Sequence, residues 1–106
     1  MSTDASYPIN FDLSSQAIDV IEKMTVDAEK RDGISYCPCI MWAYNLGNTP
    51  NTGGICIGFI EKAKVKVSSL SKVDNFRFIY GVIQRDQKHF DGKTLDVRGD
   101  QLILAV

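Results

Sequence analysis

Ser14-Ser15-Gln16-Ala17-Ile18-Asp19-Val20-Ile21-Glu22-Lys23-Met24-Thr25-Val26-Asp27-Ala28-Glu29-Lys30-Arg31-Asp32-Gly33 is the stretch that decides the fold, because it carries a helical period together with both helix ends. Ala17, Ile18, Ile21, Met24 and Ala28 recur at helical spacing, while Asp19, Glu22, Lys23, Asp27 and Lys30 fill the intervening positions. An amphipathic helix over residues 13–31 follows. Asp12 or Ser14 can accept a backbone N–H at its start, and Lys30, Arg31 and Gly33 supply a cationic last turn and a left-handed stop.

On either side of the helix the texture is that of strands. Tyr7-Pro8-Ile9-Asn10-Phe11 alternates apolar and polar residues and reads as a short first strand, with Pro8 suited to an edge. Residues 34–44 form a mostly apolar run, the pattern of a strand covered on both faces. Pro38 removes one ladder donor there and so points to a bulge or an edge. Residues 45–54 are rich in Asn, Gly, Thr and Pro and read as a loop, after which residues 55–60 return as a strand. Ala63, Val65 and Val67 alternate with Lys62, Lys64 and Lys66 as in a half-buried strand, and residues 68–75 read as a connection. Residues 76–84 are aromatic and β-branched, and residues 94–97 and 102–106 can pair as a terminal hairpin. The expected fold is α+β: one N-terminal amphipathic helix packed on a mostly antiparallel sheet of about five to seven strands. It forms a single domain over residues 1–106, with residues 1–6 as a flexible lead-in.

Composition narrows the function. Hydrophobic residues make up 44% of the 106 positions and charged residues 24%, which are ordinary globular values, and the formal net charge is −1. That balance disfavours generic binding to nucleic acid or an anionic membrane. The stripe of Lys62, Lys64 and Lys66 is an ordinary guard on an exposed strand. No export signal and no bilayer-length apolar segment is legible, so a cytoplasmic location is expected. Three cysteines are an odd count and, in a reducing compartment, stay as thiols.

Cys37-Pro38-Cys39 and Cys56 concentrate what unusual chemistry the chain has. In an extended strand Cys37 and Cys39 share a face, and a hairpin loop centred near Gly47 or Asn48 sets Cys39 opposite Cys56. With His89 as a fourth donor, this has the count of a Cys3His zinc site, and a zinc or iron–sulfur accessory role is the alternative reading. One residue between the paired cysteines, rather than two to four, argues for buried thiols serving as small hydrophobes, with no cofactor expected. Gly53-Gly54-Ile55-Cys56-Ile57-Gly58-Phe59 resembles the glycine–cysteine–glycine stretch of the A-type iron–sulfur carriers over seven residues. It has an extra isoleucine, and the chain lacks the paired cysteines those carriers present near their carboxyl end.

No catalytic constellation is legible, and the reading leans away from an enzyme. Asp86, Asp91, Asp96 and Asp100 are interleaved with Arg85, Lys88, Lys93 and Arg98 as on solvated hairpins, and phosphate-binding and dinucleotide fingerprints are absent from the sequence. The leading expectation is a small non-catalytic accessory or interaction domain. It binds a protein partner or a small-molecule ligand through Trp42, Tyr44 and Tyr80, whose rings combine apolar bodies with polar tips. The apolar end Leu102-Ile103-Leu104-Ala105-Val106 must be covered on both faces, either within the chain's own sheet as a core strand or through a homodimer formed by the last strand.

Overall fold

The helix forms where its caps place it. The structure, a computed structural model, describes residues 7–44, 53–99 and 101–106, so the lead-in at 1–6, the loop over 45–52 and Asp100 lie outside the described residues. Helix α1 runs Ser15–Asp32. The Ser14 Oγ accepts the Ala17 N–H at 3.1 Å, and Gly33, at φ 68°, donates its N–H to the Glu29 carbonyl at 2.7 Å. The buried stripe is Ala17, Ile21, Thr25 and Ala28 rather than one containing Met24, which is 37% exposed. A helix turns about 100° per residue, which sets Met24 about 20° from Ala17 but on the side away from Ile21 and Thr25, at the margin of the buried stripe. Thr25 tolerates the core because its hydroxyl donates to the Ile21 carbonyl at 2.8 Å.

Among the described residues, seven strands complete an α+β fold in which one long helix packs on mostly antiparallel sheets, as the sequence led one to expect. They are β1 (Asp12–Leu13), β2 (Tyr36–Tyr44), β3 (Gly53–Glu61), β4 (Leu70–Val73), β5 (Phe76–Tyr80), β6 (Thr94–Arg98) and β7 (Gln101–Ala105). They divide into two sheets, ordered β3-β2-β5-β4 and β1-β6-β7, with β2–β5 and β1–β6 parallel. Ala17 and Ile21 of α1, Ile40 of β2, Phe78 and Tyr80 of β5, Leu95 of β6 and the loop residues Phe11 and Phe90 fill one core between the helix and the two sheets. No helix among the described residues is long and apolar enough to cross a membrane.

The ends of the chain are welded together. The Asp12 N–H donates to the Lys93 carbonyl and the Ser14 N–H to the Leu95 carbonyl, both at 2.9 Å. The Ser14 hydroxyl, already capping α1, donates to Asp96 Oδ1 at 2.7 Å. That hydrogen bond is the largest reason the Asp96 carboxyl is held below its ordinary pKa.

Four local expectations need correcting. Residues 7–11 are not a strand; the Tyr7 N–H bonds to the Leu70 carbonyl at 2.8 Å, and pairing in β1 starts only at Asp12. Residues 62–67 are not a strand either but lead through two 3-10 turns, Lys62–Lys64 and Val67–Ser69. They must carry the chain from β3 to β4, the two opposite edges of their sheet, so the alternating valines never meet a neighbouring strand. The expected connection over 68–75 holds β4 and a tight turn in which Asp74 takes φ 54°. Finally, β2 and β3 pair two residues away from the expected register. Cys39 faces Gly58 and Cys56 faces Met41, an even slip that leaves Cys56 on the same side of the sheet as Cys39.

Pro38 is accommodated without an edge position. Ser35 accepts a hydrogen bond from Lys62 in β2's antiparallel pairing, so by alternation the odd residues of β2 bond toward β3 and the even ones toward β5. The donor missing at Pro38 faces β5, whose pairing begins only at Cys39. The terminal hairpin forms as expected, with β7 paired to β6 of its own chain.

Candidate functional site

Alternation along β2 separates the residues singled out in the sequence. Tyr36, Pro38, Ile40 and Trp42 take one face, toward the core, and Cys37, Cys39 and Met41 take the other. From β3, Ile55 lies opposite Trp42, and Cys56 opposite Met41.

On the core face, the 3-10 turn Gln84–His89 lays the His89 ring flat on Trp42, with centroids 4.3 Å apart and planes 9° from parallel. Phe90 meets the same indole edge-on at 5.8 Å. Trp42 Nε1 and His89 Nε2 are both buried and have no hydrogen-bond partner among the described residues. An unpartnered buried polar group costs about 1–3 kcal/mol, so the stacking of these two rings offsets a polar penalty. Both rings line an open hollow of about 350 Å3 together with Gly54, Ile55, Lys93 and residues 102–104 of β7.

Tyr80 is placed differently from Trp42. It is 6% exposed, packs on Phe11 and Phe90, and donates its hydroxyl to Asn10 Oδ1 at 2.8 Å. Tyr44 closes β2, and its side chain lies outside the described residues. Burial first, then the neighbouring Tyr7 and Asp91, pushes the Tyr80 phenol from 10.0 up to about 12. A raised phenol pKa means the fold prefers the protonated ring. Its stabilising contribution is therefore complete below the unfolded value and is lost as pH rises from about 10 to about 12, where the unfolded chain ionises first. Tyr80→Phe should cost about 1 kcal/mol near neutrality through the lost Asn10 bond and should flatten the loss of stability over that alkaline window. Urea unfolding at stepped pH checks it; parallel alkaline limbs for the two proteins would show that another group controls them.

The three thiols share the opposite face. Cys37 and Cys39 are 6% and 4% exposed, and Cys56 is half-buried. Burial raises the pKa of both Cys37 and Cys39; for Cys39 the neighbouring Cys37 adds to this and the Gly81 N–H opposes it. These thiols therefore hold their protons at neutral pH. Among the described residues, no group of three or more His, Cys, Asp or Glu side chains is arranged to hold a metal ion. His89, stacked on Trp42, lies across the sheet from the cysteines.

A larger groove, about 680 Å3, opens between the C-terminal half of α1 and residues 62–77. Val26, 45% exposed, and Val67, 70% exposed, offer it apolar surface together with Val65 and Leu70. Glu22 and Glu29 stand on the helix side, and Lys62 and Arg77 on the other. Glu29 is tied down because its Oε2 accepts the Tyr36 N–H at 2.8 Å. Sequence reading missed this groove. Its walls come from three distant segments, and the exposure of Val26 on an otherwise polar helix face is the one local signal that pointed to it.

A protein from Aquifex aeolicus, whose solution NMR structure was determined by the Northeast Structural Genomics Consortium, has the same fold. The two superpose with a TM-score of 0.59 over 100% of this chain and 99% of that one, at 15% sequence identity. No protein-family model matches the chain, and neither does any curated protein.

Proposed function

We propose that the protein is a small binding domain that performs no chemistry of its own and takes an apolar ligand or a partner's apolar segment into the groove between α1 and residues 62–77. The observation that carries this reading is the groove itself. Its volume of about 680 Å3 falls in the range of small-molecule sites, and it pairs exposed valines with charges of both signs at its rims. The chemistry around it supports a passive role. Cys37, the thiol on its wall, is held protonated by burial, and His89 is stacked on Trp42 on the core side of β2. No metal or cofactor is called for.

Neutral apolar probes test it, namely indole and an N-acetylated, C-amidated leucine, titrated into the labelled chain and followed through backbone amide resonances. Shifts should gather at Val26, Val65 and Val67. Val67→Asp, at a position too exposed to disturb the core, should weaken binding about tenfold. Shifts that gather anywhere else, or affinity unchanged in Val67→Asp, would defeat the reading.

A further inference from the structure

Among the described residues, no strand neighbours the outer edge of β3, which is 9 residues long. The Lys62 N–H bonds to the Ser35 carbonyl, so by alternation the even residues of β3 bond to β2. The odd ones, Gly53, Ile55, Ile57, Phe59 and Glu61, turn their N–H and C=O groups outward, and no backbone hydrogen bond among the described residues reaches them. The usual guards of a strand edge are missing as well. β3 holds neither lysine nor proline, and its register with β2 runs unbroken by a bulge. The opposite edge of the same sheet is guarded: β4 has 4 residues, carries Lys72, and is met by Tyr7, whose N–H bonds to the Leu70 carbonyl.

We infer that β3 is a dimerisation edge, at which two copies of the chain pair antiparallel about a two-fold axis at Ile57 and join their four-stranded sheets into one. That axis sets Ile57 opposite the partner's Ile57, Ile55 opposite the partner's Phe59 and Gly53 opposite the partner's Glu61, so every outward backbone group of the strand gains a bond. Moving the axis to Cys56 or Gly58 leaves Glu61 or Gly53 without a partner in the facing strand. The side chains match in the same register. On the core face large residues meet large ones, Ile55 with the partner's Phe59 and Ile57 with the partner's Ile57, while on the other face the small Cys56 meets the partner's Gly58. Glu61, the one charged residue of the strand, falls opposite the partner's Gly53, so no like charges meet. A strand that is its own complement selects a second copy over an unrelated segment. The groove beside α1 takes no residue from β3 and is independent of this edge.

Light scattering on the intact chain from about 10 μM to about 1 mM covers the dissociation constants expected of a small interface, and amide hydrogen exchange locates it. The mass should double. The Ile55, Ile57 and Phe59 amides should become protected in step with it, while Cys56 and Gly58, already bonded to β2, change little. Ile57→Pro removes an outward donor and no bond to β2, and should weaken association about tenfold or more. A chain that stays monomeric throughout, a dimer in which these three amides exchange as fast as in the monomer, species that grow beyond the dimer, or unchanged association of folded Ile57→Pro would each overturn the inference. Mass and exchange of the unaltered chain decide it even if Ile57→Pro fails to fold.

Discussion

Phe90→Ala is expected to lower stability by about 3–5 kcal/mol, a large share of the roughly 5–15 kcal/mol that holds a domain of this size together. Phe90 is 0% exposed, and its ring centroid lies 5.0 Å from Phe11, 5.5 Å from Tyr80 and 5.8 Å from Trp42. These partners come from the segment before β1 and from β5 and β2 of one sheet, so one side chain fills the seam at which that sheet meets the N-terminal segment. Truncation removes the transfer free energy of the ring and leaves a void that three aromatic neighbours cannot close without leaving their rotamers. Urea titration followed by far-UV circular dichroism measures it. The milder Phe90→Leu should fall between the two, and a loss below about 1 kcal/mol for the alanine variant would show that the core collapses freely around this position.

Gly81→Ala should cost about 1–3 kcal/mol by overpacking, despite adding only a methyl group at an exposed position. A β-carbon there would stand 2.5 Å from Cys39 Sγ and 3.3 Å from Met41 Cγ. The Cys39 side chain is short and buried, and a single rotatable bond sets where its sulfur lies. Cys39→Ala removes the obstructing sulfur, so the double variant should be more stable than the sum of the single losses predicts, by about 1 kcal/mol. Gly58→Ala is the control. Its β-carbon would meet Met41 Cε at 2.6 Å, but that is the free end of a flexible side chain that can swing aside. Simple additivity between Gly81→Ala and Cys39→Ala would mean that the sulfur does not set the packing on this face.

How far the sequence discloses the molecule depends on the range of the forces involved. Helix α1 was legible to within two residues at either end, though not in every member of its buried stripe, because its period, its serine cap and the Gly33 stop are all local. The terminal hairpin was legible for the same reason, with Gly99 at φ 65° in its turn. Residues 62–67 misled because valine and lysine alternation reports a preference for a pleated surface, and no neighbouring strand is there to supply one. The smaller sheet gains its third strand by β1 pairing with β6, a contact between segments far apart in the sequence that no local pattern encodes. Trp42 and His89 each drew notice separately, one as a recognition surface and the other as a metal donor. Their stacking, across 47 positions of sequence, arises only once β2 and the 3-10 turn are in place. Lys93 carried no signal that distinguished it from the other hairpin charges.

The bonds that tie Asp12 and Ser14 to Lys93, Leu95 and Asp96 bear on how the protein is made. A chain leaving the ribosome can coil α1 early, but the cap hydroxyl lacks its carboxylate and β1 lacks its parallel neighbour until residues 93–96 have emerged. Until then α1 lacks the cover that Leu95 gives its buried face, so the core between the helix and the two sheets closes only after that segment has emerged.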